Sequence, residues 1–216
     1  MIYKRTRNII YLLIFIVFLS GSLYWMKKRL NIDIFESFSL SHTFPFKYIP
    51  KYVIKNPRAG DLILKDDFES KFRPRTLWGA LWMREDGKVV RSVDSPENHS
   101  RCLLITSESS RDWSYECQFL IRADAGDVFY YEGLAGLQGA EAHAVLGFTT
   151  FDPEKTVLAW NYGVSPVEPG PMALIRRQVS IGEGVGFIRF RIAGRGRGQF
   201  RFDNIRLIKI RSGKPN

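Results

Sequence analysis

The stretch AWNYGVSPVEPGP, residues 159–171, sets Trp160 and Tyr162 two positions apart, ahead of a run punctuated by Pro166, Pro169 and Pro171. On a continuous strand, residues i and i+2 share a face and lie about 7 Å apart. Two rings so placed can stack side by side on a flat apolar ligand surface. The prolines restrict the backbone that follows and would keep such a platform ordered. Trp78, beside Gly79, and Trp113, in RDWSY, stand near expected turns and are platform candidates of the same kind.

Other chemistry finds little material. There is no nucleophile elbow, no metal-binding His pair and no phosphate-binding glycine loop. Three His and two Cys leave little for a metal cluster or a disulfide scaffold. Carboxylates are plentiful, but nothing marks a glycosidase pair. The expectation is a protein without catalytic activity. Asn98-His99-Ser100 is a formal glycosylation sequon, meaningful only in a eukaryotic secretory setting.

The elements that must position these residues are strands. From Gly60 onward, short alternating runs separated by turn residues replace any helical period, as in an all-β sandwich. AHAVLGFTTF places Ala142, Ala144, Leu146 and Phe148 on one face and His143, Val145 and Thr149 on the other. Glu141 and His143 fall on the face away from that core set. GFIRFRIAG alternates Ile188, Phe190 and Ile192 against Arg189 and Arg191. RCLLIT and SYECQFLIR flank SESSRD, read as a turn. Pairing Ser107 with Asp112 then sets Cys102 opposite Cys117, within reach of a disulfide in an oxidising compartment. Two small buried thiols are the other reading of the same pair.

The chain is basic, with formal net charge +10, so an Arg-Gly nucleic-acid arm at GRGRGQFRFDNIRLIKI has to be weighed. Alternating strands on both sides of GRGRGQ argue for strand, Gly-rich turn, strand, and against nucleic acid. Within the last strand the apolar set changes phase, from Phe200 and Phe202 to Ile205 and Leu207. A period-2 strand changes phase only through a bulge or kink. Asp203 stands at that slip, where a carboxylate caps freed backbone N–H groups or binds a cation.

The N-terminus reads differently. Ile9–Met26 carries no charge, is flanked by basic residues and ends on Tyr24 and Trp25. At ~1.5 Å per residue such a helix is roughly 27 Å long, enough to cross a bilayer core. A cleaved signal with a small-residue site at Ser20-Gly21-Ser22 competes with an uncleaved anchor; apolar character running to Met26 favours the anchor. Flanking basic residues tie the orientation count, and export of the larger C-terminal part is the usual outcome. The expected organisation is a membrane anchor over residues 1–30 that meets lipid through residues 9–26, an aromatic and proline-rich stalk over 31–59, and a sandwich over 60–216. The sandwich would be periplasmic or extracellular.

LKDDFES, GDVFYYEG, GFTTFDPEKTVLAW and RFDNIRLIKI, in that order and spacing, resemble the carbohydrate-binding-module-like jelly rolls of the galactose-binding-like superfamily, over residues 60–210. The resemblance implies a two-sheet antiparallel jelly-roll β-sandwich without catalysis, often with a structural calcium ion. Glu69 and Asp203 match positions that help bind that ion in many members; Lys65 stands where members often have Asn. Trp82 falls near a Trp that members bury, so it is expected in the core. Two functions follow. One is glycan binding, with Trp160, Tyr162, Trp113, Trp78, His143 and Glu141 as candidate contacts. The other is an accessory subunit of a membrane protein assembly, contacting partners through anchor, stalk and sandwich.

Overall fold

The computed structural model describes residues 52–69, 77–85, 88–94 and 101–213; the expected anchor, most of the stalk and the sequon lie outside them. Thirteen strands account for most of the described chain: β1 (Val53–Ile54), β2 (Leu62–Asp66), β3 (Trp78–Met83), β4 (Val89–Asp94), β5 (Cys102–Ser107), β6 (Asp112–Cys117), β7 (Leu120–Arg122), β8 (Val128–Gln138), β9 (His143–Phe151), β10 (Val157–Val167), β11 (Gly170–Ser180), β12 (Phe187–Arg195) and β13 (Gly198–Arg211). Among the described residues no helix is long and apolar enough to cross a membrane.

The strands form two sheets. Sheet A runs β10-β9-β12-β6-β3, with β7 and β1 continuing beside the far end of β12. Sheet B runs β11-β8-β13; β5 and β2 then share the other edge of β13, and β4 flanks β5. Pairing is antiparallel except where β1 joins β7 in parallel. Val53 is buried there. Residues 52–54, assigned to the stalk from sequence, are therefore part of the sandwich.

Alternation fills the space between the sheets. Leu146, Phe148, Ile188, Phe190 and Ile192 of sheet A pack against Phe129, Tyr131, Phe200 and Phe202 of sheet B. Each such buried side chain contributes about 1.5–3 kcal/mol. Rings meet across the layer: Tyr131 lies 5.4 Å from Phe190 in a tilted pair, and Trp113 meets Phe200 edge to face at 4.9 Å. Trp78 stacks on Tyr115 at 5.0 Å, and its indole N–H donates to the buried Asp66 carboxylate at 2.8 Å.

Two connections read as hairpins from sequence are crossovers between sheets. β5 lies in sheet B and β6 in sheet A, and β12 and β13 are divided in the same way. The tight β12–β13 link needs its glycines. A Cβ on Gly194 would sit 2.3 Å from the Trp113 ring, and one on Gly196, at φ +85°, would sit 2.0 Å from the Glu141 carbonyl oxygen. The crossover also overturns the expected disulfide. Leu103 and Ile105 belong to the core, so Cys102 points away from it, whereas Cys117 points inward. Both are buried and free. Burial and the neighbouring Glu116 carboxylate push the Cys117 thiol well above its usual pKa.

The phase slip at Asp203 is a bulge. The β13–β8 register shifts between Asp203 and Arg206, and Asn204 takes φ 51°. The buried Asp203 carboxylate accepts from the Asn204 backbone N–H at 2.7 Å and from its side-chain amide at 3.2 Å. Further along β13, Lys209 donates to Asp127 at 2.6 Å with both groups almost wholly buried. Asp127 also accepts from the N–H groups of Asp124 and Gly213.

Lys209→Met would strand that carboxylate, and we expect a loss of about 3–5 kcal/mol in urea unfolding. Pairing it with Asp127→Leu should return part of the loss; a loss under 1 kcal/mol for the single change would show the ion pair to be dispensable. A second expectation concerns alkali. Burial pushes the Tyr115 phenol up to about 12, against the lowering pull of the Arg91 guanidinium that donates to it. The phenol is neutral in both states below pH ~10, so its stabilisation is complete there and disappears as pH rises through about 12. Stability should fall by roughly 1.4 kcal/mol per pH unit in that window, and less steeply in Tyr115→Phe. Equal slopes for the two proteins would contradict this.

Candidate functional site

Polar and aromatic chemistry concentrates on the outer face of sheet A. Cross-strand register arranges it in rows. Phe187 aligns with Phe151, and Arg189 with Thr149. Arg191 aligns with Gly147 and Glu116, and Ala193 with Val145 and Ser114. Ser114 in turn aligns with Trp82, and Arg195 with His143 and Asp112. Trp82 on β3 is 52% exposed and Trp160 on β10 is 58% exposed. These strands border the face on opposite sides, four strand spacings apart, or about 19 Å at ~4.8 Å each.

Both tryptophans reach this face through bulges. In β3 the register against β6 shifts between Trp78 and Leu81. Trp78 therefore points inward, and Trp82, four residues on, points outward; unbroken alternation would have put them on one face. In β10 the register against β9 shifts between Ala159 and Tyr162. Tyr162 consequently turns toward the core, and its hydroxyl donates to the Ser180 carbonyl and accepts from Gly182 N–H. Trp160 remains outside, with the Arg191 guanidinium 5.8 Å from its ring centre.

Between the tryptophans lies a floor of charge that is nearly dry. Arg189 and Arg191 are more than nine-tenths buried. Arg189 donates to Glu116 at 2.8 Å and lies 5.1 Å from the Phe151 ring. Arg191 donates to the Trp160 carbonyl at 2.9 Å and to Thr149 Oγ1 at 3.4 Å. Glu116 also accepts from the Ser114 and Thr149 hydroxyls, each at 3.3 Å. Desolvation lowers the Arg191 pKa, against the opposing pull of Glu116 and then Asp112. The Nε atoms of both arginines are buried without a hydrogen bond, that of Arg191 lying 3.8 Å from Glu116 Oε1. Rings at the border and fixed hydrogen-bonding groups between them can hold a ligand that has flat apolar faces and polar edges.

Several sequence-derived candidates fall elsewhere. Trp78 and Trp113 are core residues, with 1% and 0% exposure, so neither is a platform. Trp82, expected in the core, is at the surface. Trp160 and Tyr162 diverge at the bulge and form no two-ring platform. His143 is exposed on the outer face of sheet A, and Glu141 is exposed in the turn before β9. Glu69 accepts from the Arg101 backbone N–H at 2.8 Å. Its carboxylate and that of Asp203 are thus engaged by N–H donors, and no group of three or more His, Cys, Asp or Glu side chains stands together among the described residues. Arg189, Arg191 and Glu116 carry no signal in the sequence that sets them apart, because charges that alternate with apolar residues on a strand ordinarily face water. The Trp82 displacement had a signal, since apolar positions change from even Trp78 to odd Leu81 and Met83.

No protein-family model matches the chain, and no curated protein matches it either. Solved structures do. The chain is similar to the Clostridium thermocellum endo-1,4-β-D-xylanase 10B CBM22-1–GH10 modules complexed with xylohexaose, at TM-score 0.51 and 16% identity, over 70% of this chain and 29% of that one. It is similar to the enzymatically active domain of bacteriophage CBA120 tailspike protein 4, at TM-score 0.51 and 11% identity, over 67% of this chain and 20% of that one. The CBM22-1 xylan-binding domain of Paenibacillus barcinonensis Xyn10C gives TM-score 0.48 and 15% identity, over 73% of this chain and all of that domain. The chain thus spans under a third of the length of the first two. At these identities the likeness is one of fold alone, that of a two-sheet antiparallel β-sandwich.

Glu116 is the carboxylate to which both buried guanidiniums are held, at 2.8 and 3.8 Å. Glu116→Gln should therefore lower stability by about 2–3 kcal/mol in chemical denaturation. A change below 0.5 kcal/mol would mean that the arginines are adequately solvated without it.

Proposed function

We propose that this protein binds a glycan on the outer face of sheet A, without catalysis, and presents that face from a membrane anchor outside the cytoplasm. The observation that carries the reading is the pair of exposed tryptophans, Trp82 and Trp160, bordering a floor of fixed polar groups. Pyranose rings offer apolar faces that stack on indoles, while hydroxyls at their edges meet Arg, Glu, Thr and Ser. The distance between the tryptophans suits an extended polymer better than a single sugar. The sandwich likeness to the CBM22-1–GH10 modules that were complexed with xylohexaose supports the reading. The anchor rests on the uncharged run Ile9–Met26.

Affinity electrophoresis of the full chain through gels containing soluble polysaccharides tests this. Trp82→Ala and Trp160→Ala should each cut retention at least fivefold while shifting the melting temperature by less than about 3 °C, since exposed side chains add little to stability. A double variant retained like the parent protein would overturn the reading. The accessory-subunit reading keeps one observation in its favour: Leu62, Val90, Leu174 and Ile210, on strands of sheet B, are exposed. Under that reading Leu174→Asp releases a protein that co-purifies in mild detergent, and retention by polysaccharide is absent.

A further inference from the structure

We propose that the glycan bound on the outer face of sheet A is anionic, and that a carboxylate or sulfate group of the polymer sits on the guanidiniums of Arg189 and Arg191. The inference rests on the glycan-binding reading above and names its substrate class.

Charge balance is the first ground. Two buried guanidiniums share one carboxylate, Glu116. Buried charges are stable when paired, and an unpaired one costs several kcal/mol. Among the described residues the floor of the site therefore sets two guanidiniums against one carboxylate, the next anion acting on Arg191 being Asp112, which Arg84 engages.

Donor geometry is the second. Arg189 Nη1 and Arg191 Nη1 are engaged by Glu116, Thr149 and the Trp160 carbonyl. Neither Nε makes a hydrogen bond, although that of Arg191 lies 3.8 Å from Glu116 Oε1, and no hydrogen bond is made by either Nη2 among the described residues. Nε and Nη2 form one edge of a guanidinium, the edge that grips an oxyanion with two parallel N–H donors. Arg189 thus keeps that edge without an acceptor, two residues from Arg191 on the same face of β12 and on the same side of the sheet as the exposed Trp160.

The surroundings are the third. Asp112 pairs with Arg84 at 3.2 Å, and Asp124 with Arg122 at 3.4 Å. Lys155 stands over Phe187 at 5.7 Å, and Arg195 is aligned with Asp112, which Arg84 already engages. Among the described residues neither Lys155 nor Arg195 makes an ion pair. A neutral polymer would satisfy the free donors with hydroxyls, whereas charge-assisted bonds to an oxyanion are roughly twice as strong. The excess charge is thus the feature that discriminates between polymers.

The full chain is run through gels containing polygalacturonate, a sulfated galactan, and the carboxyl-reduced and desulfated forms of the same two polymers. We expect at least one charged polymer to retain the protein tenfold more strongly than its neutral match, and the retained member tells carboxylate from sulfate. Arg191→Gln should remove most of that preference. Arg191→Lys should remove nearly as much, because an ammonium keeps the charge without the fork. Lys155→Ala, an exposed change, should weaken retention severalfold and serves as the reporter if Arg191 variants do not fold. Lys65→Ala, an exposed change in sheet B, should leave retention unchanged. Equal retention by charged and neutral polymers overturns the anionic inference and leaves glycan binding standing. No retention by any of the four overturns both. A Lys65→Ala loss as large as that of Arg191→Gln would mean diffuse attraction to a basic protein, and the inference falls.

Discussion

The two sheets approach only as closely as the rings between them allow. Tyr131 of sheet B meets Phe148 at 5.8 Å and Phe190 at 5.4 Å, and Trp113 of sheet A meets Phe200 at 4.9 Å. A layer packed this tightly tolerates no misplaced side chain, since interiors are as dense as organic crystals. Every strand must keep its apolar residues in inward phase. Where its sequence departs from strict alternation, the backbone yields instead. The bulges in β3, β10 and β13 are such places, and two of them turn a tryptophan outward. The composition of the outer face is therefore partly a product of how the inner one is filled.

That outer face is costly to maintain. β12 is buried over both faces through most of its length, so Arg189 and Arg191 pay a desolvation penalty although they sit on the side away from the core. Glu116, Thr149, Ser114 and the Trp160 carbonyl offset part of it. The guanidiniums also lie 5.1 and 5.8 Å from the ring centres of Phe151 and Trp160, where cation–π contact restricts them further. Groups fixed in this way lose little rotamer freedom when a ligand arrives, which is how preorganisation raises affinity.

The all-β class and most inward-facing residues were legible because period-2 alternation follows from backbone geometry. Leu146, Phe148, Ile188, Phe190 and Ile192 were assigned inward from the pattern alone and are buried. The Asp203 irregularity was legible because it breaks that pattern within one strand. Sheet membership was not. SESSRD and GRGRGQ look like hairpin turns, yet each link crosses from one sheet to the other, and local turn chemistry does not encode which sheet receives the next strand. The disulfide expectation failed for that reason. At the site, Trp160 was assigned outward and is exposed. Trp82 is expected inward because members of the resembled family bury a Trp near that position, whereas the slip from Trp78 to Leu81 and Met83 points the other way. The arginines were hidden by a general truth, that strand charges face water; only the crowding of Phe151 and Trp160 makes them different.

β13 carries a consequence for how the molecule is made. It is the last strand in chain order, yet it lies at the centre of sheet B, bonded to β8 along one side and to β5 and β2 along the other. A nascent chain still lacking it can form the β4–β5 hairpin and the β8–β11 pair, but β2 then has no partner in its sheet. The two halves of the sheet stay unzipped, with strand edges and apolar faces open, until this segment leaves the ribosome. Contacts this distant in sequence close slowly, and open edges invite association with neighbouring chains. The emerging sandwich thus passes through a vulnerable interval that a single strand insertion terminates.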